Sequence, residues 1–155
     1  MFGKSVIAAM AITLAPLGAH AQALVDASDP EVLAALIQDL GYKASIDVDS
    51  VGDPLIRSSA HGYKFNVFFY DCVENTECKA IQFKVGFDME DGISLTRIQN
   101  FNQLKRWVNV YANEESNPQV EMDYNLRGGV SVENFNDTFD WWLVMMEEFI
   151  EYIDF

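Results

Sequence analysis

The chain has only two cysteines and two histidines in 155 residues, and one of those histidines, His20, falls within the first two dozen positions. So thin a supply disfavours ordinary zinc sites, which take four ligands largely from these two residue types. Positive charge is scarce too: ten Lys and Arg stand against 24 Asp and Glu, giving a formal net charge of −14. A surface of that sign repels phosphate backbones and anionic lipid heads, which argues against nucleic-acid and membrane-surface binding; its ordinary role is solubility. No unbroken apolar run in the sequence reaches the roughly 20 residues that span a bilayer. Internal repeats, low-complexity tracts and linkers are also missing, so one domain is expected.

What is present begins with MFGKSVIAAMAITLAPLGAHAQA: a head with Lys4, an apolar middle from Ser5 to about Leu14, a breaking Pro16, then small residues. This is the three-part pattern of a secretory signal peptide. Cleavage after Ala21 would use Ala19-His20-Ala21, and cleavage after Ala23 would use Ala21-Gln22-Ala23; the first is preferred. The expected division is a signal peptide over residues 1–21 and a single domain over 22–155, long enough to bury a real core. A prokaryotic-looking leader points to a periplasmic or secreted protein with no membrane anchor after cleavage. Loss of Lys4 with the leader makes the exported chain still more acidic.

Asp29-Pro30-Glu31 opens a helix with a capping side chain, a proline at the first helical position and an acid in the first turn. Val32, Leu33, Leu36, Ile37 and Leu40 form its apolar stripe, and Gly41 closes it. Ala44 to Asp49 and Leu55 to Ala60 make a first hairpin around a Gly-Asp-Pro turn. The second hairpin alternates Tyr63, Phe65, Val67 and Phe69 on one strand with Ile81, Phe83, Val85 and Phe87 on the other, the mark of strands with one buried face. Ser94 can cap a second helix carrying Leu95, Ile98, Phe101 and Leu104. Trp107 to Ala112 and Gln119 to Asn125 read as a third hairpin. After Gly128-Gly129, apolar residues at Val132, Phe135, Phe139, Trp142, Met146, Phe149 and Ile153 recur at steps of three and four, which predicts a long last helix. Trp141, Leu143, Val144, Met145 and Tyr152 lie off that seam and widen the apolar surface, as a second buried contact or a homodimer would require. The order α-ββ-ββ-α-ββ-α, without a βαβ unit, implies an α+β fold: an antiparallel sheet of three hairpins with helices packed on it.

Cys72 and Cys78 flank five residues at facing strand ends, and in an oxidising compartment they are expected to form a disulfide clip. A redox-active pair would use a tighter Cys-x-x-Cys with a lowered thiol pKa, whereas Asp71, Glu74 and Glu77 here raise it. Asp47, Asp49 and Asp53 begin like a calcium loop, but the fifth position is Val51 and the twelfth is Ser58, so no metal is expected. His61 stands alone beside Gly62, Ser58 and Ser59 belong to no nucleophile motif, and Gly128-Gly129 lacks the lysine of a phosphate loop. Glu147, Glu148, Glu151 and Asp154 read as the solvated face of the last helix. No catalytic residue, cofactor site or metal site is assigned. One constellation remains: Phe68, Tyr70, Trp107, Asn109 and Tyr111 project from the sheet face opposite the core, beside Glu121 and Asp123. Such a mixture of aromatic and polar groups suits a docking surface for a protein partner, unless the last helix or a second copy covers it.

Four blocks in fixed order resemble the YbjN-like family of bacterial sensory transduction regulators. They are the LGY helix end with DVDSVGDPLI, the hairpin CVENTECKAIQFKVGF, Asn100-Phe101-Asn102 leading to Lys105-Arg106-Trp107, and MDYNLRGGVSVENF. Family members usually have a tryptophan between the two asparagines and a phenylalanine after the basic residue; here Phe101 and Trp107 hold those positions. The resemblance implies a fold like that of type III secretion chaperones, which often dimerise and bind other proteins without catalysis. The expectation is therefore an exported, non-enzymatic protein-binding or regulatory module. Its rivals are a thiol-disulfide redox protein using Cys72 and Cys78, and a small-ligand sensor.

Overall fold

The computed structural model describes residues 24–155. The leader and both cleavage points lie outside the described residues. Three helices and eight strands run in the order β1 (Leu24–Val25), α1 (Pro30–Asp39), β2 (Lys43–Val48), β3 (Pro54–Ala60), β4 (Tyr63–Tyr70), β5 (Ala80–Gly86), α2 (Leu95–Leu104), β6 (Asn109–Ala112), β7 (Pro118–Asn125), β8 (Val130–Ser131) and α3 (Val132–Ile153). The molecule is α+β, as the hairpin pattern predicts. Six strands form one antiparallel sheet in the order β2-β3-β4-β5-β7-β6, and β1 and β8 pair separately.

The helix boundaries follow from their caps. Asp29 Oδ1 accepts from the backbone N–H groups of Glu31 (3.1 Å) and Val32 (3.2 Å), with Pro30 next in line. Ser94 Oγ accepts from Arg97 N at the start of α2, and Ser131 Oγ accepts from Asn134 N at the start of α3. Each cap satisfies a backbone donor that the helix itself cannot.

All three helices contribute to a single apolar core on one face of the sheet. Leu33 and Ile37 of α1, Ile98 and Phe101 of α2, and the α3 seam from Phe135 to Ile153 meet Ile56, Phe65, Val67, Phe83, Val85 and Val120. Phe83 stacks on Trp142 with ring centroids 5.7 Å apart and 19° between planes, and Phe65 meets the same indole edge-on. Burial of each such ring stabilises the fold by about 1.5–3 kcal/mol relative to exposure.

The structure differs from the sequence expectation in four places. The His61-Gly62 turn joins β3 to β4, so the first two hairpins form a continuous four-strand meander. The third hairpin enters in reversed order, β7 beside β5 and β6 at the edge, because α2 carries the chain past β7's place before it turns back. β1 and β8 pair where the sequence shows no alternation, through Leu24 opposite Ser131 and Val25 opposite Val130. Gly129 permits this: its φ is +80°, and a Cβ there would lie 2.9 Å from that of Leu24. Finally, Leu95 and Leu104 of α2 are 77% and 75% exposed, leaving Ile98 and Phe101 as its only buried residues.

Candidate functional site

The sheet face turned away from the core carries no helix among the described residues. Cross-strand register sets its rows: Leu55, Phe68, Gln82 and Asp123 form one, and Arg57, Asn66, Lys84, Glu121 and Asn109 form the next. The last helix, a candidate cover for this face on sequence grounds, lies on the opposite side, where Phe139 and Trp142 meet Phe65 and Phe83.

Phe68, Tyr70, Asn109 and Tyr111 share this outer face. Tyr70 is 45% exposed, Asn109 is exposed, and Phe68 and Tyr111 are half-buried. Two separate sets of polar contacts frame the rings: in one, the Tyr70 hydroxyl approaches Gln82 Oε1 (3.4 Å), and Gln82 Nε2 donates to Asp123 Oδ1 (2.9 Å). In the other, Lys84 donates to the Tyr111 hydroxyl, stands 5.1 Å from the centre of that ring and lies 3.8 Å from Glu121, whose other oxygen accepts from Asn109 Nδ2 (3.2 Å). Partial burial pushes the Tyr70 phenol above its ordinary pKa of 10.0, and nearby Lys84 opposes that shift. The face offers aromatic area and paired hydrogen-bonding groups; it assembles no nucleophile beside a base.

Trp107 is not with them. It precedes β6, has a φ of +74° and rests beside Trp141 of α3, ring centroids 6.2 Å apart. Strand alternation therefore fails two residues before the strand begins. The two indoles border a groove of about 310 Å³ with Asp123, Tyr124, Asn134 and Asp137. The Tyr124 hydroxyl donates to Asn134 Oδ1. Burial raises the Tyr124 pKa above its ordinary 10.0, with the Asp137 carboxylate adding to the effect.

A disulfide joins Cys72 and Cys78 and closes the β4–β5 loop. Val73 and Thr76 pair across it through reciprocal backbone hydrogen bonds of 2.7 and 3.0 Å. The loop packs on the β2–β3 turn, where Asn75 Nδ2 donates to Asp53 Oδ1 (2.8 Å) and to Val51 O (3.3 Å). Asp49 accepts from Val51 N and Asp53 N, which makes it a turn-forming acid, and Asp47 binds Arg57. His61 occupies the β3–β4 turn, 3.7 Å from Glu147, and Glu148 pairs with Lys105 at 2.6 Å. Among the described residues no group of three or more His, Cys, Asp and Glu is placed to hold a metal ion. No helix among them is long and apolar enough to cross a membrane.

Sequence reasoning missed the Trp107–Trp141 groove, because it arises from a positive φ in a residue type that rarely adopts one. It also missed Asn102, whose side-chain amide binds both backbone groups of Val110 on the edge strand.

The geometry defines an α+β protein with a one-sided sheet and two candidate binding surfaces. The family model for YbjN, described as "Putative bacterial sensory transduction regulator", matches residues 29–155, and the chain belongs to that family. No curated protein and no solved structure matches the chain significantly.

Proposed function

We propose that the chain is an exported, non-enzymatic protein-binding module of the YbjN family that acts in regulation. The open outer sheet face carries this reading: Phe68, Tyr70, Asn109 and Tyr111 lie together on it with no helix of the described chain above them. Aromatic residues in a frame of satisfied polar groups suit protein recognition, since the rings bury area while the frame loses few hydrogen bonds. The family description supports a regulatory role, and the N-terminal leader supports a periplasmic or secreted location. A fold of the type III secretion chaperone kind, with the same face used for a partner or a second copy, fits this picture.

The thiol-disulfide reading has less support: Cys78 is only 2% exposed and Cys72 is half-buried, whereas exchange needs access to a sulfur, and the pair lacks the tight Cys-x-x-Cys spacing. The proposal is tested by site-specific photo-crosslinking in bacteria that express the full chain. A photo-reactive residue at Tyr70 or Tyr111 is expected to give discrete adducts in the periplasmic fraction, while one at exposed Gln99 of α2 gives none. Absence of adducts at both positions across several growth conditions, or retention of the chain in the cytoplasm, would overturn it.

A further inference from the structure

The groove between Trp107 and Trp141 has a composition that the outer face lacks. Trp107 is 62% exposed and Trp141 is 43% exposed, the two rings inclined at 35°. Asp137 lines the same groove, Asp123 borders it with its carboxylate turned to Gln82 on the outer face, and Asp140 and Val144 continue the surface along α3. The cation–π contacts of the described residues are Lys84 on Tyr111 and Arg97 on Tyr152; neither falls on an indole. Asp137 forms no ion pair among the described residues.

The backbone adds a second component. β6 covers β7 only from Pro118 to Glu121, so the sheet edge from Met122 to Asn125 is uncovered where the chain peels away toward Trp107. The Phe87 N to Pro118 O and Leu126 N to Lys79 O hydrogen bonds fix the phase of the β5–β7 ladder. With that phase, even-numbered residues of β7 bond β5, and the backbone groups of Asp123 point into the gap.

We propose that this groove receives a basic segment of a polypeptide partner, with an arginine or lysine side chain on the Trp107 and Trp141 faces and Asp137 as its counter-charge. The indole face attracts cations more strongly than any other ring, and the chain's net charge of −14 draws a basic partner toward it. An extended segment would also meet the exposed edge of β7 at Asp123. The inference rests on the protein-binding reading and names the chemistry of the partner.

The test uses the exported chain and a hexa-arginine peptide at about 0.15 M salt, followed by tryptophan fluorescence and calorimetry. Saturable binding with a change in indole emission is expected. Trp107→Ala and Trp141→Ala should each weaken it at least about five-fold, and Asp137→Asn about two-fold or more. Glu114→Gln, at the far end of β6, should leave it unchanged. Both tryptophans are exposed, so their variants should melt with the parent protein. Equal binding by parent and tryptophan variants would assign the affinity to diffuse charge and overturn the proposal. So would saturable binding of tetramethylammonium without binding of the peptide. Outer-face crosslinks that persist in Trp107→Ala would leave the protein-binding reading standing while the groove assignment fails.

Discussion

The Asn102 side chain closes a two-point contact with the backbone of Val110: its Nδ2 donates to Val110 O and its Oδ1 accepts from Val110 N, each at 2.9 Å. A helix residue thus supplies the hydrogen bonds that a seventh strand would otherwise make. Val110 sits on β6, the sheet edge, and unpaired edge groups invite another strand. The Asn100-Phe101-Asn102 block places Phe101 in the core and turns Asn102 toward that edge, so one half-turn of helix serves both layers.

Asn102→Ala should therefore cost about 1–3 kcal/mol, because it leaves two partly buried backbone groups without partners. Asn102→Asp keeps the acceptor but sets a carboxylate oxygen against Val110 O, so at neutral pH it should not recover the loss. Urea unfolding measures the cost, and hydrogen exchange at the Val110 amide locates it. Unchanged stability and exchange in Asn102→Ala would mean that water replaces the side chain without penalty.

Adjacent tryptophans on α3 should respond very differently to truncation. Trp142 is fully buried between Phe65 and Phe83, while Trp141 is 43% exposed. Trp142→Ala should cost about 3–5 kcal/mol, and Trp141→Ala about 0.5 kcal/mol or less. Trp142 Nε1 has no hydrogen-bond partner, so Trp142→Phe should cost much less than the alanine variant. Comparable losses at positions 141 and 142 in urea unfolding would contradict this placement of the helix.

The contrast shows what the sequence made legible. Steps of three and four identified the seam from Val132 to Ile153: Phe135, Phe139, Trp142, Met146, Phe149 and Ile153 are buried, and Val132 at its start is half-buried. Periodicity also gave the hairpin strands, since Phe65, Val67 and Phe69 alternate against solvent-facing neighbours. What it did not give was which face α3 would choose, because Leu143 and Met145 extend the apolar surface and are buried within the same chain. The apolar breadth that pointed to a second contact is largely consumed there, leaving Trp141 and Val144 exposed. Trp107 escaped for a local reason: alternation assumes extended backbone, and a φ of +74° breaks that assumption before β6 begins. Strand order escaped because register within a hairpin is local, whereas the insertion of β7 rather than β6 beside β5 is decided by packing over α2.

Removal of the Cys72–Cys78 bridge should destabilise the protein by roughly 2 kcal/mol, the chain-entropy value for so short a loop. The double variant Cys72→Ser, Cys78→Ser should retain the β4–β5 ladder, which is held independently by register from Asn66–Lys84 to Tyr70–Ala80. Loss of the Asn75 contacts with Val51 and Asp53 is expected to accompany it, visible as increased exchange in the β2–β3 turn. The protein should not accelerate reduction of insulin disulfides by dithiothreitol above the uncatalysed rate, since Cys78 is buried, Cys72 is half-buried and the pair lacks a tight Cys-x-x-Cys spacing. Catalysis that disappears in Cys72→Ser would reinstate the redox reading.

Asp47 provides a pH test of the first hairpin. The Arg57 guanidinium donates to its Oδ2 at 2.5 Å, and this hydrogen bond, followed by one from Val48 N, holds the carboxyl below its ordinary pKa of 3.8. A carboxyl whose pKa is lowered on folding contributes stability above the unfolded value and loses it as pH falls through the folded one. The contribution should thus be complete at neutral pH and vanish only in the acid range below 3.8. The pair is open to solvent, so its effect is small and salt should weaken it. Carboxyl-carbon NMR titration should place Asp47 below 3.8 in the parent, closer to 3.8 in 1 M salt, and closer again in Arg57→Gln. An ordinary titration in the parent protein would show that Arg57 does not hold Asp47 in solution, and the β2–β3 pairing would then rest on its backbone ladder and the Ile46–Ile56 contact alone.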